Sequence, residues 1–142
     1  MNAEVLKGFF EGRVPAAEIA REAARAETLW NEGTHDALTA DLTAEFPVRP
    51  AHLVALCDAV TKGEVKPCQL EVLASVLVRS EKFMWDPRSR EGALVSRVIY
   101  AWEAPEINYL LTVATMAKFR RLLLTGEDRF DNADWSEEPG PR

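Results

Sequence analysis

Through most of its length this chain repeats apolar residues at steps of three and four, and glycine or proline interrupts the repeat at short intervals. Such a pattern dictates short helices joined by tight connections. Val5, Leu6, Phe9 and Phe10 mark a first helix that ends near Gly12. Pro15 suits the opening turn of a second, over Ala16 to Asn31, because its missing N–H has no intrahelical partner there anyway. Ile19, Ala23, Ala26 and Trp30 form its apolar stripe, and Glu18, Arg21, Glu22 and Arg25 cover the other side at attractive spacings. Gly33 stops it.

Residues 34–50 are less regular. Thr34 or His35 can precede a short helix through Ala37, Leu38 and Leu42, and Pro47 and Pro50 then force an extended passage. Leu53, Leu56 and Val60 line a helix from Ala51 to Lys62, stopped by Gly63. Pro67 opens the next, with Leu70, Leu73, Val76 and Leu77 inward through about Ser80. Lys82-Phe-Met-Trp-Asp-Pro87 is a break, in which Asp86 is placed to cap a helix start and Pro87 to occupy its first position. Leu94, Val95, Val98, Ile99 and Trp102 define a helix halted before Pro105. The last begins near Thr112, turns Val113, Met116, Phe119, Leu122 and Leu123 inward, and ends at Gly126. The expected fold is all-α: a single-domain bundle of six or seven helices over residues 1–126, followed by a disordered acidic tail, 127–142.

Two stretches share a pattern. Leu6-Lys-Gly-Phe-Phe-Glu-Gly-Arg-Val-Pro15 and Leu56-Cys-Asp-Ala-Val-Thr-Lys-Gly-Glu-Val65 each place a glycine two residues before a valine at a helix end. An aliphatic residue follows seven beyond each glycine, Ile19 and Leu70. Stacked pseudo-repeats and a common helix connection reached twice both account for this.

The 142 residues carry 17 bases and 23 acids, a net charge of −6 that suits solubility and disfavours general coating of nucleic acid. The charge is unevenly spread. Residues 1–46 hold nine acids and four bases, residues 47–126 eight and eleven, and residues 127–142 six and two. Arg79, Lys82, Arg88, Arg90, Arg97, Lys118, Arg120 and Arg121 make the middle mildly basic. A helix-turn-helix across Gly63–Lys66 is conceivable on that ground. Its second helix, however, offers Gln69, Glu71 and Ser75 outward where a recognition helix needs phosphate and base-edge donors.

Signatures of catalysis are missing. There is no Gly-x-Ser-x-Gly, no phosphate loop, no Gly-x-Gly-x-x-Gly and no His-Glu-x-x-His. His35 and His52 read as packing or solvent-facing side chains, and Cys57 and Cys68 as small apolar thiols in or near the core. His52 and Cys57 stand about 140° apart around one helix, too far for a nucleophile and its base. No enzyme activity, cofactor or metal is expected. The N-terminus shows no signal peptide and no segment reaches the ~20 apolar residues of a membrane span, so the expected setting is the cytoplasm without a membrane partner. Trp85, Trp102 and Tyr109 stand beside charged residues near helix boundaries, as protein-binding anchors do and as caps on a helical core also do.

Leu6-Lys-Gly-Phe-Phe-Glu-Gly-Arg-Val-Pro-Ala-Ala-Glu-Ile-Ala20, followed by Leu29-Trp30, resembles the opening of colicin-type immunity proteins, the self-protective partners of bacterial tRNA-cleaving toxins. The resemblance covers about the first 30 residues. It implies stoichiometric inhibition, with acidic side chains occupying the basic cleft of a cognate toxin and aromatic residues anchoring the contact. The partner-binding residues it points to are Glu18, Glu22 and Glu27, then Trp85, Asp86, Trp102, Glu103 and Glu106. A helical adaptor or scaffold and a nucleic-acid-linked regulator remain as alternative functions.

Overall fold

The computed structural model describes residues 1–31 and 37–135, the side chains of residues 30 and 31 excepted. It is all-α. Six helices follow in order: α1 (Ala3–Phe10), α2 (Ala16–Asn31), α3 (Pro50–Thr61), α4 (Pro67–Arg79), α5 (Arg90–Glu103) and α6 (Val113–Thr125). Short 3₁₀ turns occupy Pro105–Ile107 and Asn132–Asp134. The two proline- and aromatic-rich breaks pair with each other: β1 (Phe46–Pro47) and β2 (Phe83–Met84) form a two-residue parallel ladder. Phe46 and Val48 donate to the carbonyls of Lys82 and Met84, 2.8 Å each, while Phe10, Phe46, His52 and Phe83 pack their rings together around it.

α4 is the centre of the molecule. It packs against α2, α3 and α5, and it buries Leu70, Val72, Leu73, Ala74, Ser75, Val76 and Leu77, which takes in nearly every side of the helix. Ser75, expected outward, is therefore inside. A helix enclosed in this way cannot enter a DNA groove, which removes the helix-turn-helix arrangement. α3 and α6 form the most extensive helix pair, joined at the surface by Arg120 Nε donating to Asp58 at 2.9 Å.

The repeated Gly–x–Val pattern is structurally real. Gly12 and Gly63 adopt left-handed φ values of 78° and 77°, which residues with a Cβ seldom adopt. After each, the valine N–H turns back to the helix it has left: Val14 to the Gly8 carbonyl at 3.1 Å, Val65 to that of Ala59 at 3.3 Å. Ile19 and Leu70 are then both fully buried. α1–α2 and α3–α4 are thus two hairpins closed by one local geometry.

Four local expectations change. Ser89, not Asp86, caps α5, its Oγ accepting from Gly92 N–H at 2.9 Å, and Arg90 rather than Pro87 is the first residue of the helix. Asp86 makes the preceding turn instead: its carboxylate accepts Arg88 N–H, and its carbonyl accepts both Ser89 N–H and Ser89 Oγ–H. Val113 is 60% exposed, because it stands in the first turn of α6 ahead of the buried stripe. Residues 37–45 are not helical. Their backbone docks along the start of α1, with Ala3 N–H donating to Ala40 and Thr39 N–H to Met1, and Ala37 and Leu42 are buried there. Thr34 and His35 lie outside the described residues.

The fourth change concerns the end of the chain. Residues 127–135 form a strap on the body rather than a frayed tail. Phe130 stacks on Tyr109 with centroids 4.0 Å apart, Leu110 N–H donates to the Asp134 carbonyl at 2.8 Å, and Lys118 Nζ donates to the buried Asp134 carboxylate at 2.6 Å. Burial would raise the Asp134 pKa, but Lys118 and the Asp131 N–H outweigh it and hold it below the usual value. Residues 136–142 lie outside the described residues.

Candidate functional site

The side chains expected to bind a partner fall in separate places. Glu18 and Glu22 form i,i+3 ion pairs with Arg21 and Arg25 on α2, so their charge is largely answered within the helix. Glu27 stands about 140° around the helix from Glu22 and faces another neighbourhood. Trp85 is half-buried and Asp86 exposed, just ahead of α5. Glu103, also half-buried, ends that helix, roughly 20 Å from its start. Trp102 is not available to any partner: its exposure is 0%, its ring meets Phe119 edge-on at 5.7 Å, and it belongs to the core. Among the described residues its indole N–H finds no acceptor.

Two of the expected acids do come together. α2 brings Glu27, the first turns of α4 bring Cys68 and Glu71, and the 3₁₀ turn after α5 brings Glu106. Cys68, Glu71 and Glu106 line an open groove of about 300 Å³ whose walls are Pro67, Pro105, Leu110 and Leu111, and Glu27 lies close enough to Cys68 and Glu71 to raise the pKa of both. Both prolines are where helix physics puts them, at the first position of a helical turn, and both thereby present an apolar ring at the groove edge. Beside it Ile107 and Leu110 are 67% and 43% exposed.

Electrostatically the groove is unbalanced. Among the described residues none of Glu27, Glu71 and Glu106 has a lysine or arginine within ion-pair distance. Desolvation, then repulsion from Glu106 and Glu27, raises the Glu71 pKa. Burial and Glu27 likewise raise the Cys68 pKa, so this exposed thiol holds its proton and is a poor nucleophile. Cys57 is buried and pushed up to about 12 by that burial and by Asp58. Among the described residues no three histidine, cysteine or acidic side chains are grouped so as to hold a metal ion.

The basic middle presents the opposite picture. Arg88, Arg97, Lys118, Arg120 and Arg121 pair with Asp86, Asp128, Asp134, Asp58 and Glu127 respectively. Three of those partners come from the strap. The acidic end of the chain thus answers three bases of the stretch before it, Arg97, Lys118 and Arg121.

Sequence reading missed Glu71, Ile107 and Leu110. Glu71 follows Pro67 by one helical turn, so its place on the Pro67 side of α4 is implied by spacing. That it faces Glu27 and Glu106 depends on how three elements pack, and no local pattern encodes it. No family model, curated protein or solved structure matches the chain. Among the described residues no helix is long and apolar enough to cross a membrane.

Proposed function

We propose that this chain is a non-catalytic protein-binding domain that engages a basic partner through the groove between α2, α4 and the 3₁₀ turn at Pro105–Ile107, and that it serves as an immunity protein neutralising a bacterial nuclease toxin. One observation carries the reading: Glu71 and Glu106 line an apolar groove with Glu27 close by, none of the three in an ion pair among the described residues, while Leu110 in its wall and Ile107 in the adjoining turn are exposed. A like-charge cluster costs stability, and a partner's cations would repay that cost on binding. The opening segment, which resembles colicin-type immunity proteins, supplies Glu27. Two free thiols fit the reducing cytoplasm in which such a protein meets its toxin.

In this mechanism the partner's RNA-binding cleft meets carboxylates in place of phosphates. The isolated charges set the encounter rate and the orientation, and the apolar pair supplies desolvated contact area. Glu18 and Glu22, turned away from Glu27 around α2 and paired with Arg21 and Arg25, stand outside this contact, and Trp85 with Asp86, ahead of the start of α5, lie too far from its end to share it. A helical adaptor would use the same groove on a different partner, and growth protection separates the two. Cells expressing the tRNA-cleaving domain of a colicin-type toxin are expected to survive when the chain is co-expressed, and the triple variant E27K/E71K/E106K is expected to lose that protection while keeping its helical circular dichroism. Full protection by the folded triple variant contradicts the acidic-surface mechanism.

A further inference from the structure

We infer that the face of α5, α6 and Tyr109 beneath residues 127–135 is a receptor for an acidic peptide segment carrying an aromatic residue, that the strap is its built-in occupant, and that a partner's segment of the same chemistry displaces the strap. This face is separate from the acidic groove, and the inference stands whether or not the groove binds anything. The strap itself shows what the face accepts. Arg97 of α5 donates to Asp128 at 2.7 Å, Lys118 of α6 to Asp134 at 2.6 Å, and Arg121 of α6 to Glu127 at 2.5 Å. Between these ionic contacts the face receives a ring: Phe130 lies flat on Tyr109 with centroids 4.0 Å apart and meets Phe119 edge-on at 4.7 Å. The backbone is read as well, since Leu110 N–H donates to the Asp134 carbonyl and Tyr109 forms an antiparallel bridge with Trp135.

The way the strap is held makes it exchangeable. Of residues 127–135 only Asp134 is buried, and it is a carboxylate rather than an apolar anchor; Phe130 is half-buried and Trp135 is exposed. The Arg97–Asp128 and Arg121–Glu127 pairs stand about half in solvent, where ion pairs contribute little. A segment with so few buried apolar contacts opens at a small fraction of the cost of unfolding the helices. The face survives that opening, because Met116, Phe119 and Leu122 belong to the core side of α6. Gly126, in the left-handed conformation, ends α6 before the strap begins, so the helix does not depend on it. A nucleic acid also offers anions and stacking rings, but the antiparallel backbone contact at Leu110 is one that a peptide makes and a nucleic acid does not.

The test measures, by fluorescence anisotropy, binding of a fluorescein-labelled peptide with the sequence of residues 127–135 to the full chain. The peptide finds only molecules whose strap is off, so loosening the strap raises the apparent affinity by the factor in which the open fraction grows. F130A/D134N is expected to bind the peptide at least about tenfold tighter than the unaltered chain, with its helical circular dichroism kept. E127Q/D128N, a milder loosening, shifts the affinity in the same direction by less, and it carries the test if F130A/D134N loses its helix. On the loosened chain a twin peptide with alanine in place of the phenylalanine binds about tenfold more weakly, and adding K118Q to that chain removes the gain. Equal affinity of the unaltered and the folded loosened chains overturns the inference, and so does binding that K118Q leaves undiminished. An oligothymidylate of the same net charge that binds the loosened chain as tightly as the peptide also overturns it, since the face would then be a general anion surface.

Discussion

A methyl group added to Gly92 would lie 1.7 Å from the carbonyl oxygen of Asp86 and 2.4 Å from its carbon. Both are backbone atoms in a turn held by Ser89, so neither can swing aside. At Gly8 the added carbon meets Val14 Cγ2 at 2.5 Å, the end of a side chain that can turn, and alanine there also favours the helix by up to ~1 kcal/mol. G92A is therefore expected to lower stability by about 2 kcal/mol or more and G8A by clearly less, as read from urea midpoints. Equal midpoints for the two would show that the turn before α5 yields. Glu71 has its own signature. Its pKa is raised in the folded chain, so between the ordinary value of 4.5 and that raised value the folded state binds more protons than the unfolded one. Stability attributable to Glu71 accordingly falls as pH rises through that window. E71Q is expected to raise the melting temperature at pH 7.5 and to leave it unchanged at pH 3.5, and a lower melting temperature at pH 7.5 would contradict the repulsion inferred around it.

At the scale of elements, the strap ties the end of the chain to the groove. Leu110, a groove wall, donates its N–H to Asp134, whose carboxylate takes Lys118 and the Asp131 N–H. Asp134 has its pKa lowered by these contacts, so their stabilisation is complete above the unfolded value of 3.8 and is lost as pH falls through the folded one. D134N keeps the shape and removes the charge. It is expected to speed exchange of the Leu110 amide about tenfold at neutral pH without changing the exchange of α4 amides, measured residue by residue by NMR. Unaltered exchange at Leu110 would mean that the aromatic contacts alone hold the strap. Most of the helices were legible in the sequence, because their ends are written in local terms: Pro67 at the first position of α4, Thr112 at the start of α6, glycine after α1, α3 and α6; the starts of α3 at Pro50 and of α5 at Arg90 were not read there. The strap was not, since a run of acids with few apolar residues reads as solvated until Phe130 finds Tyr109 and Asp134 finds Lys118. Trp102 failed for a related reason: a tryptophan beside Glu103 and Pro105 looks like a boundary residue, and only the packing of α5 on α6 places it inside.

At the scale of the molecule, a chain whose middle is basic and whose ends are acidic has folded so that its acidic strap pairs with bases of the middle. Away from those pairs, Glu71 and Glu106 line one groove with Glu27 close by. Two of these acids were candidates from the sequence. Their third partner and the apolar pair beside them were not, because residues from α2, α4 and the turn after α5 meet only in the assembled bundle. The central claim is that this acidic groove is the binding surface. Isothermal titration of the chain against the tRNA-cleaving domain of a colicin-type toxin, at low and at physiological salt, tests that claim most directly. The account predicts a one-to-one complex that weakens as salt rises and that E27K/E71K/E106K loses by at least about a hundredfold, with an undiminished melting transition. A complex of the same affinity for the folded triple variant, at both salt concentrations, would contradict it.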